Sequence, residues 1–288
     1  MIVVRVFGGL GNQMFQYAFA KYLGLNNKEV YLDITDFKTH VHHYGFELDK
    51  VFSNLDYNLI EGKQLNKVRF NPNTVLNRVL NKAFGVQIIR NSEYREQPAK
   101  SVIKNNTYRK DIYFNGFWGN LQYINEVEDL LRKELVFRYL PEGKNRDLFD
   151  FLEGKISVSV HVRRGDYLQE DGLKDAFGIA FYKEAFNIFM EKYSEVVFVI
   201  FSDDIPWVKE NFDFSRNMIF VDWNRGKESY IDMLMMSLCN HNIIANSTFS
   251  WWSAWLNSNK DKCVIAPRYW RSNDKNESSL YPGEWILL

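Results

Sequence analysis

Residues 156–166, Ile-Ser-Val-Ser-Val-His-Val-Arg-Arg-Gly-Asp, decide how the second half of the chain folds. Apolar and polar side chains alternate over 156–162, and this period of two predicts a β-strand that ends just before Arg163 and Arg164. Residues 196–201, Val-Val-Phe-Val-Ile-Phe, form an apolar run typical of a buried parallel strand. The two segments therefore predict neighbouring strands with charged residues at their carboxyl ends.

The same alternation of elements extends outward from these two strands. Further strands are predicted at 217–221, 242–245 and 263–266, and helices at 181–193, 229–239 and 250–256. Strands that alternate with helices indicate βαβ units with right-handed crossovers and a parallel sheet.

The first half of the chain begins in a similar way. A β-branched apolar run at 3–7 leads into Gly8-Gly-Leu-Gly-Asn-Gln13, after which a helix is predicted at 14–25 and a strand at 30–34. Later elements predicted in this half are a helix near 74–84, a strand at 112–117 and an amphipathic helix at 121–136.

The segment Pro141-Glu-Gly-Lys-Asn145 is the best linker candidate. It divides the chain into domains at 1–145 and 146–288. The predicted fold class is therefore α/β, with two facing Rossmann-like domains and a central cleft.

The composition excludes several classes of protein. The 288 residues include 36 Lys plus Arg and 36 Asp plus Glu, and this zero net charge argues against nucleic-acid binding through a basic face. The two cysteines, Cys239 and Cys263, are too few for a disulfide framework or a four-cysteine zinc site. No apolar run reaches about 18 residues, and the apolar start is too short for a signal peptide. We expect a cytoplasmic protein with no transmembrane segment, and peripheral contact with the inner face of the membrane is left open.

Arg163 and Arg164 follow a predicted buried strand, at the position where open α/β sheets bind ligands. Guanidinium groups stay charged, so two of them at this place call for an anionic partner such as a phosphate. An Arg–Asp salt bridge that closes the loop is the structural alternative.

The glycine loop offers a second place for an anion. Gly9 and Gly11 let the backbone approach a phosphate, and the following helix start presents N–H groups. As a dinucleotide fingerprint the loop is incomplete, because Met14 stands at the third glycine position, although Asp33 imitates the ribose-binding acid.

Two further polar segments follow predicted strands. Asp203 and Asp204 end one of them, and their carboxylates either accept from a base edge such as guanine or cap the next helix. Residues 246–250, Asn-Ser-Thr-Phe-Ser, join a strand to a helix and offer either a phosphate site or ordinary N-capping.

No metal site is predicted. Two aspartates are nowhere spaced Asp-x-Asp, so a metal-and-diphosphate clamp has no obvious source. The group formed by His40, His42 and His43 has no nearby cysteine to complete a site, and a solvated loop is expected there.

Three blocks together resemble the signature motifs of bacterial α-1,2-fucosyltransferases, glycosyltransferase family 11. They are Gly8-Gly-Leu-Gly-Asn-Gln-Met-Phe-Gln-Tyr17, His161-Val-Arg-Arg-Gly-Asp166 and Asn246-Ser-Thr-Phe-Ser-Trp-Trp252. The blocks occur in the family's order and span nearly the whole chain. The resemblance implies a GT-B fold, GDP-β-L-fucose as the donor, a galactose-terminated glycan as the acceptor, inversion to an α-1,2 linkage, and no metal or other cofactor. Its default biological role is bacterial surface-glycan synthesis, such as that of O-antigen.

The resemblance also implies roles for individual residues. Arg163 becomes the candidate for the β-phosphate contact, and His161 with one of Asp203 and Asp204 would hold guanine or ribose. Asp166 is the candidate catalytic base beside Arg163, although it could instead pair with an arginine. The expected donor-binding residues are Gly9, Gly11, Asn12, Gln13, His161, Arg163, Arg164, Asp203, Asp204, Asn246, Ser247, Thr248, Phe249 and Ser250. The acceptor is expected in the first half of the chain, with residues 39–57 as the candidate region.

Two functions of other classes stay open at this point. One is a nicotinamide-dependent oxidoreductase that uses the Gly9-x-Gly11 turn. The other is a non-catalytic galactoside-binding protein, suggested by an aromatic content of 16%. Neutral sugars do not need two adjacent arginines, which argues against the second.

Overall fold

The chain forms two compact α/β units, Met1–Val136 and Phe137–Leu288, in a computed structural model. The structure describes residues 1–27, 29–39, 44–69, 82, 93–96, 103–104, 111–165, 167, 178–274 and 278–288. The division falls after Val136, whereas the predicted one stood after Asn145, which lies inside a helix of the second unit.

The first unit is built on a five-stranded sheet in the order β3-β2-β1-β5-β4, with every neighbouring pair parallel. The strands are β1 (Ile2–Arg5), β2 (Val30–Asp33), β3 (Asn58–Leu59), β4 (Glu93–Arg95) and β5 (Ile112–Asn115). β1 lies at the centre because its apolar side chains are buried on both faces, as a parallel strand covered by helices requires.

The described helices of this unit are mostly short. They are α1 (Leu10–Gly24), α2 (Asp36–Thr39), α3 (Leu48–Val51), α4 (Gly62–Val68), α5 (Leu121–Asn125) and α6 (Glu128–Glu134). Helix α1 starts within the glycine loop, where Gly8 has a φ of +80° and a Cβ would come within 2.8 Å of Asn12 Nδ2. Glycine is therefore required at that turn.

The second unit is built on a six-stranded parallel sheet in the order β11-β10-β9-β6-β7-β8. The strands are β6 (Ser157–Val162), β7 (Val197–Ser202), β8 (Met218–Val221), β9 (His241–Ile243), β10 (Val264–Ala266) and β11 (Ile286–Leu287). The chain runs outward from β6 to β8 and then returns to β9 on the other side of β6. This reversal is the topological switch point of a doubly wound sheet.

The second unit's described α-helices cover both faces of this sheet. They are α7 (Gly143–Leu152), α8 (Ile179–Lys192), α9 (Ile205–Asn211), α10 (Tyr230–Ser237) and α11 (Thr248–Leu256), and a short 3₁₀ helix spans Gly226–Glu228. Phe186 of α8 stacks on Phe198 of β7 with ring centroids 3.9 Å apart, and both are fully buried. These two aromatic side chains therefore serve packing, the role that the composition predicts for most of them.

Several predicted elements differ from the structure. The single helix predicted at 121–136 is wrong, because Val127 leaves the helical conformation and separates α5 from α6. The predicted linker at 141–145 is in part the start of α7. The helix predicted near 74–84 lies outside the described residues apart from position 82. Among the described helices, none is long and apolar enough to cross a membrane.

Candidate functional site at the strand ends of the second unit

The carboxyl ends of β9, β6 and β7 bring three of the predicted polar segments together. His161 pairs with Phe201 and Val162 with Ser202 in the register of β6 and β7, so Arg163 follows directly beside Asp203. On the other side, Val160 pairs with Ile243 of β9, and Asn246 follows that strand. These segments meet at the switch point, where doubly wound sheets bind ligands.

Asp203 holds the loop that carries the two arginines. Its carboxylate accepts from the backbone N–H groups of Arg164 at 2.9 Å and Gly165 at 3.1 Å, and it pairs with Arg163 Nη1 at 3.1 Å. A Cβ on Gly165 would lie 2.7 Å from Asp203 Oδ2, so only glycine leaves room for this arrangement. Asp203 therefore fixes the backbone of the arginine loop through three hydrogen-bond donors.

Arg164 is fixed by different partners. Its guanidinium lies 3.6 Å from the centroid of the Trp207 ring, and its Nε pairs with Asp204 Oδ2 at 3.3 Å. Asp204 is also the N-cap of α9, since it accepts from the Trp207 N–H at 3.2 Å. Capping and salt-bridge formation, both weighed for these residues from the sequence, thus occur at Asp204.

His161 is buried at the end of β6, with 6% of its surface exposed. Burial, and then the charge of Arg163, lower the pKa of His161 to about 3, so the ring is neutral at physiological pH. Its Nδ1 has no hydrogen-bond partner among the described residues, and its ring lies 5.9 Å from that of Phe249. A buried polar atom without a partner is expected to meet a ligand or an ordered water.

The start of α11 carries the third polar segment. Ser247 occupies the N-cap position without a side-chain capping bond, and the Ser250 hydroxyl lies 3.4 Å from the Ser247 carbonyl oxygen. N-capping by the Ser247 side chain, one of the two predicted alternatives, is therefore not observed. The first N–H groups of a helix have no partner within it and carry the positive end of its dipole.

Tyr167 links the arginine loop to this helix start. Its hydroxyl donates to the Asn246 carbonyl oxygen at 3.0 Å, and the Arg163 guanidinium lies 5.6 Å from its ring. The Asn246 amide in turn donates to the Trp270 carbonyl oxygen at 2.8 Å. Most expected donor-binding residues of the second unit therefore lie around one sheet edge, whereas Asp166 falls outside the described residues.

The remaining expected donor-binding residues, Gly9, Gly11, Asn12 and Gln13, belong to the first unit at the start of α1. The Gln13 side chain is fully buried and contacts backbone groups there. It donates to the Gly8 and Gly45 carbonyl oxygens, both at 2.9 Å, and accepts from the Glu47 N–H at 2.9 Å. Gln13 therefore anchors the loop before α3.

Asp33, which from the sequence imitates a ribose-binding acid, is fully buried at the end of β2. Its carboxylate accepts from the Tyr113 hydroxyl at 2.7 Å, from Arg69 Nη1 at 3.2 Å and from two donors of Thr35. A carboxylate occupied in this way is not presented to a ribose, so Asp33 gives no support to a nicotinamide cofactor. The predicted group of His40, His42 and His43 lies outside the described residues.

Sequence reasoning missed three residues of the second unit. Trp207 stacks on Arg164, and no sequence signal points to that contact. Tyr167 follows the motif directly but was not singled out. Asp232 is a lone carboxylate in the apolar helix α10, where burial raises its pKa to about 7 against the effect of a hydrogen bond from Asn224. An isolated acid in an apolar helix was a detectable signal of a functional candidate.

The fold and the site together define an α/β protein of the GT-B type. NodZ, a fucosyltransferase from Bradyrhizobium, has a similar solved structure, with a TM-score of 0.52 at 14% identity over 88% of this chain and 92% of that one. The family model of Glycosyl transferase family 11 matches residues 1–288, and the chain belongs to this family.

Two curated relatives show how far the similarity extends. An alpha-1,2-colitosyltransferase of Escherichia coli is 33% identical over 100% of this chain and 99% of its own length. A galactoside alpha-(1,2)-fucosyltransferase 1 of Ateles belzebuth is 34% identical over 45% of this chain and 36% of its own length. The protein is a glycosyltransferase, as the sequence resemblance implied.

Proposed function

We propose that this glycosyltransferase moves L-fucose from GDP-β-L-fucose to the 2-hydroxyl of a terminal galactose, with inversion to an α-1,2 linkage and without a metal ion. The observation that carries the proposal is the strand-end cluster of the second unit, where Arg163 and Arg164 lie on a fixed loop near the start of α11. The name of the Ateles relative supports the linkage and the galactoside acceptor.

Departure of GDP is the step for which this cluster is suited. Negative charge grows on the diphosphate as the glycosidic bond breaks, and fixed donors that already point at that charge lower the barrier most. Arg163 supplies a guanidinium whose loop is held by Asp203, and α11 supplies N–H groups at the positive end of its dipole. Fixed positive charge of this kind takes the place of a metal ion in our proposal.

The neutral, buried His161 suits the nucleoside part of the donor. Its Nδ1 lacks a partner among the described residues and lies in the same cluster as Phe249. With a pKa of about 3 the ring carries no charge, so it contributes a directional hydrogen bond. We assign it to guanine or ribose, while Asp203 acts through the arginine loop that it holds.

The donor sugar has a second candidate. The Escherichia coli relative is named as a colitosyltransferase, and colitose differs from fucose by the absence of the 3-hydroxyl. A site that hydrogen-bonds this hydroxyl rejects the deoxy sugar by about 10⁴-fold or more, whereas a site that leaves it unbound discriminates weakly. The ratio of kcat/KM for GDP-fucose and GDP-colitose therefore separates the two.

The central test combines transfer with ligand binding. We expect the purified protein to transfer fucose to a β-galactoside, with an unchanged rate in EDTA and with an α-1,2 linkage identified by NMR. Arg163→Ala should reduce kcat by about 10²–10³-fold and abolish stabilisation by GDP. Arg146→Ala, which removes an exposed arginine from α7 of the same unit, is the matched control. Full activity of Arg163→Ala would refute the phosphate assignment, and loss of activity in EDTA would refute the metal-free mechanism.

The base that takes the acceptor proton is tested separately. We retain Asp166 as the candidate. If it is the base, Asp166→Asn should lower kcat by about 10²–10⁴-fold and leave the affinity for GDP unchanged. The reverse pattern, a weakened affinity for GDP with kcat retained, would assign Asp166 to the arginine loop instead.

A further inference from the structure

A pair of accessible aromatic rings lies at the switch point of the first unit's sheet. Phe7 follows β1 and Phe117 follows β5, and these two strands are parallel neighbours whose carboxyl ends meet. The two ring centroids are 4.8 Å apart, Phe7 is half-buried and Phe117 is 50% exposed. Exposed phenylalanine rings at the position where doubly wound sheets bind ligands are candidates for a ligand contact.

One side chain links the two backbone segments that carry these rings. The fully buried Gln16 of α1 accepts from the Phe7 N–H at 3.0 Å through Oε1 and donates to the Gly116 carbonyl oxygen at 3.3 Å through Nε2. One amide therefore bridges the two strand ends and sets the distance between the loops that carry the rings.

A second side chain, from the residue that follows β4, holds the Phe117 loop. The Glu96 carboxylate accepts from the Phe117 N–H at 2.6 Å and from the Trp118 N–H at 3.0 Å. A Cβ on Gly116 would lie 2.7 Å from Glu96 Oε2, so this close approach requires glycine.

The loop also holds the single non-glycine residue with positive φ among the described residues, Trp118 at +58°. Its ring is buried and stacks on Phe19 with centroids 4.3 Å apart, and this packing stabilises the positive-φ conformation. Backbone strain that the surroundings fix in this way is concentrated at functional positions.

A network of polar side chains begins at the Phe7 ring. The Arg5 guanidinium lies 4.7 Å from the Phe7 ring and donates to Asn115 Oδ1 at 2.9 Å and to Asp36 Oδ2 at 2.8 Å. Asn115 also donates to Glu93 at 3.1 Å. An aromatic face with a guanidinium group beside it matches a pyranose ring, which has an apolar C–H face and hydroxyl groups at its rim.

We propose that the galactose ring of the acceptor stacks on the exposed ring of Phe117, with the Phe7 ring packed beside it at an interplanar angle of 52°. We call this pair of rings the platform, and Glu96 is its positioning residue. The inference rests on the proposed function, because it takes the acceptor to be a neutral galactoside. It places the contact on the loops after β1 and β5, apart from the region 39–57 expected from the sequence.

The test separates acceptor binding from donor chemistry. Phe117→Ala should raise the KM for a β-galactoside about tenfold, with kcat and the affinity for GDP unchanged, while Phe117→Tyr keeps a ring and stays near the wild type. Glu96→Gln should raise the same KM by a smaller factor without changing kcat. Phe151→Ala removes a phenylalanine of 49% exposure from the second unit and serves as the control. A KM of Phe117→Ala within twofold of the wild type would overturn the platform.

A direct binding measurement keeps this inference distinct from the proposed function. Saturation-transfer NMR with methyl β-galactoside reports contact between the sugar and the protein without any donor. If the wild type binds this probe and Phe117→Ala does not, the platform stands even where no fucose is transferred. If both proteins bind it equally, the platform is wrong whatever the donor proves to be.

Discussion

Gly165→Ala is the sharpest test of how the arginine loop is held. The new Cβ would lie 2.7 Å from Asp203 Oδ2 and 3.3 Å from its Cγ. To restore an ordinary contact of about 3.4 Å, the carboxylate must move by about 0.7 Å, the difference between 3.4 and 2.7 Å. That movement lengthens the bonds from the Arg164 and Gly165 N–H groups and the pair with Arg163, which now measure 2.9, 3.1 and 3.1 Å.

The expected effect is on catalysis. Misplacement of a catalytic group by about 1 Å costs roughly 10²-fold in rate, so we expect kcat for fucosyl transfer to fall about 10²-fold, or about 2.7 kcal/mol. Thermal stability should change little, because Arg164, Gly165 and Asp203 are not part of the buried core. Steady-state kinetics with GDP-fucose and a β-galactoside give kcat, and thermal unfolding gives the stability.

A double-mutant cycle tests whether Gly165 affects catalysis through Asp203. Asp203→Ala alone should cost at least as much as Gly165→Ala, since it removes the three contacts that Gly165→Ala lengthens. In the Asp203→Ala background the carboxylate is absent, so Gly165→Ala should cost almost nothing more. Additive losses would show that the glycine acts through something other than Asp203. Gly165→Ala activity within twofold of the wild type would refute the claim that Asp203 positions the loop.

Three further predictions concern stability and titration. Asp33→Ala should destabilise the first unit by about 3 kcal/mol in denaturant unfolding, because Arg69 loses a buried partner; a loss below about 1 kcal/mol would contradict this. The His161 ring should show no titration by NMR between pH 7 and 5, because its pKa is about 3 in the folded protein and about 6.5 in the unfolded chain. The neutral ring therefore contributes to stability above pH 6.5, and this contribution is lost as the unfolded chain takes up the proton at lower pH. By pH 5 the free energy of unfolding should fall by about 2 kcal/mol relative to that of His161→Asn, and an equal fall in both proteins would contradict the low pKa. Phe186→Ala should cost about 3–5 kcal/mol of unfolding free energy, and a cost under 1 kcal/mol would show that its stack on Phe198 is dispensable.

The sequence predicts the central strands of both sheets well, for a physical reason. β1, β6 and β7 are buried between other elements, and burial on both faces favours apolar side chains. Their apolar content therefore predicts their positions in the sheets. β3 and β11 have two residues each and lie at sheet edges, where no such pattern is imposed. Short edge strands are set by pairing with a neighbour, which local sequence does not record.

The helices were missed or merged for other reasons. The apolar positions of 121–136 keep helical spacing across the break at Val127, because α5 and α6 each bury the apolar side chains of one face. Helix α9 carried a readable start signal, Asp204 followed by Pro206 near the first helical position. The seven residues of α9 are too few for a clear helical period, so the capping signal alone does not predict its length.

At the candidate site, the sequence predicts which residues lie together but not the role of each. Asp203 and Asp204 are chemically identical neighbours, yet one holds the arginine loop through backbone N–H groups and the other caps α9. The difference follows from the register of β6 and β7, which sets Asp203 beside Arg163. Register is a property of the paired strands, so no reading of either strand alone assigns the two roles.

The two interpretations of the arginine pair that the sequence left open, a loop-closing salt bridge or an anion site, are compatible in this geometry. A guanidinium group carries five N–H donors. Among the described carboxylates, Arg164 pairs with Asp204 through its Nε, and the plane of its guanidinium stacks on Trp207. Two carboxylates therefore compensate two guanidinium groups before any nucleotide binds, which avoids the cost of holding like charges together in a half-buried loop. A diphosphate that then binds meets donors already fixed in place, so little reorganisation opposes the growth of negative charge on it. The salt bridges therefore make the anion site rigid. Removing Asp203 should weaken catalysis even though it makes the local charge more positive.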